Sequence, residues 1–145
     1  VLTGGPVKNE MALAKDIIDE IALSGQPELL ERIKNLVGCT SLTQLAALMQ
    51  QVKAVIAPDT GPAHIANAMN APVIGLYATS NPERTGPYSS RDLTVNEYPA
   101  ALLKYESVNE EVAPWGKRVR DPKALDLITV DKVKLKIDQL MASKG

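Results

Sequence analysis

Two short runs lack polar alternation, residues 54–57 and 72–76, and between them Ile65 and Met69 fall on one face of a helix. Pro58 stops the first run. Asp59-Thr60-Gly61 follows as a polar elbow, and Pro62 suits a first helical position. The helix is expected to end near Asn70, so the stretch reads strand, turn, helix, strand: a parallel crossover. Elsewhere the same alternation recurs. Residues 1–3 read as a buried strand turning through Gly4-Gly5-Pro6 into a helix over 9–23, with Ala12, Ala14, Ile17, Ile18 and Ile21 as its apolar face. Gln26-Pro27 opens a short helix through Leu30 and Ile33, and 35–37 reads as a strand closing on Gly38. Ser41 followed by Gln44 matches a capping box, with Leu42, Leu45, Ala46, Leu48 and Met49 as the inward stripe of a helix ending near Gln51. Residues 93–95 suit a strand, 97–115 show no period, and Thr129 caps a last helix with Val130, Val133, Ile137, Leu140 and Met141 on one face. The pattern predicts an α/β fold with a mainly parallel sheet of about four to six strands.

Composition narrows this picture little. The 145 residues suit one domain with its own core, expected to run 1–145. A net charge of −1, with both signs mixed, gives no long-range field for nucleic acid or an anionic membrane. Cys39 is the one cysteine, and neither a secretory leader nor a run long enough to span a bilayer is present, which leads to a cytoplasmic expectation. His64 stands alone, and no CxxC or HExxH pattern occurs, so no metal site is expected.

Candidate chemistry collects at the elbow. At the carboxyl end of a parallel strand, the N–H groups of a helix N-terminus face the crevice where α/β sheets bind ligands. Gly61 has no Cβ, Thr60 offers a hydroxyl, and the helix dipole favours an anion. Asp59 complicates a phosphate reading, because a carboxylate repels a diphosphate. It is suited either to sugar hydroxyls or to capping the following amides. The ring of His64 is placed to donate to a phosphate or to bond a neighbouring loop. Gly4-Gly5 fits either a tight turn or the same ligand crevice, and Glu10 fits the first turn of a helix on dipole grounds alone. Arg84, in the turn-rich stretch 78–88, and the basic cluster Lys117-Arg118-Val119-Arg120 have the character of phosphate ligands but are expected to be solvated surface.

The strings Asp59-Thr60-Gly61-Pro62-Ala63-His64-Ile65-Ala66, Ala71-Pro72-Val73-Ile74-Gly75-Leu76-Tyr77 and Asn81-Pro82 resemble the signature of the family 9 glycosyltransferases, the ADP-heptose:lipopolysaccharide heptosyltransferases. The likeness is strong to about Tyr88 and weak beyond it. It implies the C-terminal, Rossmann-like donor domain of a two-domain GT-B enzyme, with a three-layer parallel sheet. On that resemblance Thr3, Gly4, Gly5 and Glu10 meet the nucleoside, Glu10 through ribose hydroxyls, and Thr40 and Leu42 border the adenine. Asp59, Thr60, Gly61, Pro62 and His64 bind the diphosphate and sugar, with Asp59 positioning the donor sugar.

The substrate implied is ADP-heptose, with no further cofactor, and the acceptor is the lipopolysaccharide inner core. The general base and a phosphate-binding lysine lie, in that family, in segments before Val1. The chain is therefore expected to be a fragment whose N-terminal acceptor domain is absent, able to bind donor but not to catalyse transfer. Such an enzyme is cytoplasmic, with a peripheral position at the inner membrane. Two rival classes share the pattern: a GT-B nucleotide-sugar epimerase and a non-catalytic nucleotide-binding module of flavodoxin-like or receiver-like type. The elbow and the 77–88 loop favour the transferase, and the acidic cluster a receiver needs is missing near the first strand.

Overall fold

A computed structural model describes residues 1–143, which fall into two compact units, Val1–Ala47 and the described residues from Leu48 onward. In the first unit, α1 (Lys8–Leu23) and α2 (Pro27–Arg32) form where apolar periodicity and Pro27 predict them. The two strands expected there shrink to a single parallel bridge, Leu2 to Asn35. Leu2 N–H donates to Lys34 O and Leu36 N–H to Leu2 O, both at 2.8 Å, before Gly38, at φ +73°, turns the chain away. The apolar face of α1 is also less covered than its period suggests. Of the expected face only Ala14 is buried, Ile18 and Ile21 are half-buried, and Ala12 and Ile17 are exposed.

The capping box is present in full at α3 (Leu42–Met49): Gln44 N–H donates to Ser41 Oγ at 3.2 Å, and Ser41 N–H to Gln44 Oε1 at 2.9 Å.

The second unit is built on a parallel sheet ordered β1 (Val55–Pro58), β2 (Val73–Tyr77), β3 (Val95–Asn96). Three strands, rather than four to six, make up the sheet among the described residues. The register pairs Val55 with Val73 and Pro58 with Leu76, then Leu76 with Val95. Central β2 has no polar alternation because both of its faces are covered: Val73, Ile74 and Tyr77 are at most 1% exposed. Burying each such side chain stabilises the fold by roughly 1.5–3 kcal/mol. Ile74 packs with Leu93 and Leu140, joined by Val133 and Ile137 of α7 (Val130–Ala142). As the sequence predicts, Thr129 caps α7, accepting from Lys132 N–H.

The crossover itself is α4 (Gly61–Ala68), whose Ala63 and Ala66 turn inward and whose chain reverses at Asn70, φ +59°, before Pro72. Beyond β2 come α5 (Pro82–Thr85) and a 3-10 stretch over Tyr88–Leu93, so the strand expected at 93–95 starts only at Val95. The aperiodic 97–115 stretch resolves into α6 (Tyr98–Ala101), a π turn over Leu102–Glu106 and a 3-10 turn over Glu110–Val112. Ala78, Tyr98, Ala101, Leu102, Val119 and Ala124 form a second core there. No described helix is long and apolar enough to cross a membrane.

Candidate functional site

The elbow sits where the sequence places it, at the carboxyl end of β1. Thr60, extended at φ −141° and ψ 165°, is the N-cap residue, and Gly61 rather than Pro62 is first in the helix. The first turn exposes fewer donors than its position promises. Pro62 has no N–H, and the amides of Ala63 and His64 turn back to Thr60 O at 3.1 and 3.4 Å. Gly61 contributes the amide that precedes the first bond of the helix. A Cβ built on Gly61 would meet nothing within 4 Å, and its φ lies outside the left-handed region. Beyond its chain neighbours nothing requires glycine here, but Gly61 is helical and precedes Pro62, where a Cβ would crowd the proline ring. Thr60 Oγ1 donates to Pro58 O at 3.2 Å, which fixes the hydroxyl beside the strand end.

Asp59 is the most enclosed charged group of the elbow. Its side chain is 5% exposed, and it does not cap the helix amides. Oδ2 accepts from Ser80 Oγ at 2.7 Å and from Arg118 Nη2 at 3.1 Å, while Oδ1 lies 3.5 Å from His64 Nε2. The capping alternative for Asp59 is thus replaced by tertiary bonds, and His64 has this carboxylate as its neighbour within the same elbow.

Neither Ser80 nor Arg118 stands out in the sequence as a site residue. Ser80 is 2% exposed, in the turn after β2. The basic cluster was expected to be solvated, and it is not uniformly so. Lys117 pairs with Glu106 at 2.5 Å, and Val119 is buried. Arg118 reaches the elbow. The one sequence signal for this is the apolar Val119 set among cations. The Lys117 ammonium, hydrogen-bonded to Glu106, holds that carboxyl below its ordinary range. Arg84 remains on the exposed outer side of α5, near Gly116.

Support behind the elbow comes from Tyr77, whose hydroxyl donates to Thr85 O at 2.9 Å. Burial, reinforced by the Asp59 charge, pushes the phenol up to about 12. It stays a neutral donor and braces the loop that carries Ser80.

In the first unit, Glu10 reaches back over the turn, its Oε2 accepting from Gly5 N–H at 2.6 Å. The Gly4-Gly5 turn is tight for a local reason: a Cβ on Gly4 would come within contact distance of that same carboxylate oxygen. Thr3 is exposed, Leu42 is 74% exposed, and Thr40 is half-buried just before the capping box. The candidates thus form two groups, one in each unit: Thr3, Gly4, Gly5, Glu10, Thr40 and Leu42, and Asp59, Thr60, Gly61, Pro62 and His64.

Among the described residues no three His, Cys, Asp or Glu groups cluster to hold a metal. A cavity of about 300 Å³ opens at the opposite, amino end of β2, between Pro72, Asp92 and Gln139, and includes none of the candidate residues.

The family model of glycosyltransferase family 9 (heptosyltransferase) matches residues 1–113, which include the whole elbow. The chain belongs to glycosyltransferase family 9. It is 40% identical over 99 residues to the lipopolysaccharide core heptosyltransferase OpsX of Haemophilus influenzae, covering 68% of this chain and 28% of that protein. A likeness to lipopolysaccharide heptosyltransferase 3 of Escherichia coli is weaker but longer, 27% over 143 residues, or 99% of this chain and 37% of the relative. In fold, the chain resembles the crystal structure of a family 9 glycosyltransferase from Veillonella parvula, with a TM-score of 0.62 at 20% identity over 97% of this chain and 36% of that one. The chain spans under a third of OpsX and little more than a third of the other two. These heptosyltransferase relatives lend no support to the epimerase or binding-module readings. Arg118 lies beyond the part of the chain that the family 9 model matches.

Proposed function

We propose that this chain is the nucleotide-sugar-binding domain of a heptosyltransferase that moves a heptose from ADP-heptose to the lipopolysaccharide inner core, with residues 1–145 acting as one domain. The observation that carries the reading is the elbow: a strand end, an enclosed carboxylate at Asp59, and a glycine at the helix start with open space over it. A diphosphate at Gly61 gains the helix dipole and a close backbone approach. Glu10 and the Gly4-Gly5 turn serve the nucleoside, with Thr40 and Leu42 bordering the adenine, and Asp59 orients the heptose.

In transfer, an acceptor hydroxyl oxygen forms a bond to the anomeric carbon as the bond from that carbon to the ADP oxygen breaks. The hydroxyl proton passes to a base, and the electron pair leaves on the diphosphate. The base belongs to an acceptor domain preceding this one, so holding both substrates in reacting geometry needs the two domains together. The donor needs no metal or further cofactor in this scheme, and the enzyme works at the cytoplasmic side, peripheral to the inner membrane.

Calorimetry with ADP beside a transfer assay with ADP-heptose, both on the intact protein, tests this reading. Asp59→Ala should lower turnover more than ADP affinity, because its carboxylate meets the sugar and not the nucleotide. Unchanged turnover would remove Asp59 from the donor site, and a protein that ignores ADP would end the donor assignment.

A further inference from the structure

We propose that Arg118 is a positioning residue of the donor site, which fixes the Asp59 carboxylate with Ser80 and cancels its charge beside the diphosphate. The inference rests on the donor reading above and explains a difficulty within it, because a bare carboxylate next to a helix N-terminus works against an anionic ligand.

The geometry divides the work between the two oxygens of Asp59. Oδ2 is saturated by Ser80 Oγ at 2.7 Å and Arg118 Nη2 at 3.1 Å. Among the described residues Oδ1 has only the half-exposed His64 ring at 3.5 Å, so it is the atom left to accept a hydroxyl from a sugar. A side chain that is 5% exposed and gripped by one oxygen presents the other in a single direction.

Arg118 is itself held from both sides. Tyr98 Oη donates to Lys117 O at 2.8 Å, and Val119 N–H donates to Thr79 O at 3.0 Å. The Val119 side chain, 2% exposed, is pinned in the second core. These anchors place the guanidinium before any ligand arrives, and the Arg118 side chain stays 52% exposed.

A charge-balancing role makes a prediction that simple packing does not. In the intact protein, Arg118→Met should weaken ADP binding about five- to tenfold in low-salt calorimetry, the size expected for one unscreened charge near a partly exposed site. Asp59→Asn added to Arg118→Met should restore affinity to within about twofold, since the uncompensated charge is then gone. The single-variant loss should shrink as salt is raised. Arg118→Lys should fall between the two, and thermal melts establish that each variant is folded. Should Arg118→Met fail to fold, the lysine variant, with and without Asp59→Asn, gives the same comparison.

Wild-type affinity in a folded Arg118→Met, or no recovery in the double variant, would overturn the proposal while leaving the donor reading in place. Conversely, a wild-type protein that binds UDP or GDP in place of ADP would end the ADP-heptose reading, and a loss with Arg118→Met measured on that nucleotide would still support Arg118. Binding of no diphosphate at all would remove both.

Discussion

Replacing Gly61 by Val separates ligand approach from folding. Beyond its two chain neighbours the Cβ of residue 61 would meet no atom within 4 Å, and the backbone there is not left-handed. The contact left to consider is with Pro62, whose ring disfavours the helical region for a preceding residue that carries a Cβ. It opposes the gain from the freedom that the unfolded chain loses with glycine, about 0.4–1 kcal/mol at compatible sites. With unfolding entropy near 2.1 cal/mol/K per residue, 145 residues give about 0.3 kcal/mol/K, so the two effects leave Tm within about 3 °C of its starting value. ADP affinity should change far more. Isopropyl carbons in the open space over the first turn push a diphosphate off the Gly61 amide. One lost hydrogen bond to a charged group is worth about 1.5–3 kcal/mol, or roughly ten- to a hundredfold in Kd. Differential scanning fluorimetry and calorimetry on the same preparations check both effects. Equal ADP affinity in a folded Gly61→Val protein would show that the elbow is not the phosphate site.

Two further predictions concern the frame behind the site. Ile74→Ala, at a position 0% exposed between Leu93 and Leu140, should cost about 2–5 kcal/mol by urea unfolding, and a smaller loss would mean that the sheet and α7 collapse onto the cavity. Tyr77 binds its proton more tightly folded than unfolded, so its contribution is intact below pH 10 and lost as pH rises toward about 12, with a slope approaching about 1.4 kcal/mol per pH unit. Tyr77→Phe should flatten that alkaline decline in the urea midpoint, and an unchanged slope would assign it to other groups.

The crossover was legible because a doubly covered parallel strand must be apolar at every position, and Val73 to Leu76 spell that out. The capping box of α3 and the Thr129 cap of α7 were readable for a similar reason: their partners sit three residues away. Distance along the chain hid the rest. Ser80 lies 21 residues from Asp59 and Arg118 lies 59, so no local pattern marks either as its partner. Residues 98–112 gave no period because their helical pieces run four, five and three residues, too short to repeat. The strand at the start of the chain was overestimated for a different reason: hydrophobicity at Val1 and Leu2 signals a strand but not the length of its ladder, which stops at one bridge.

Val119 bears on how the loop before it can change over evolutionary time. The turn at 114–117 closes with Lys117 N–H on Pro114 O, and Trp115 at its tip is 63% exposed. Residues 114–116, beyond the core contact of Ala113, can gain or lose length without moving the guanidinium that follows, provided Val119 still docks among Ala78, Tyr98 and Leu102. A slip of one position at the anchor is another matter: it would offer an arginine to the core and turn the valine toward solvent. Insertions and deletions are thus filtered by one buried side chain, so the outer loop can diversify while the charged contact to Asp59 is inherited intact.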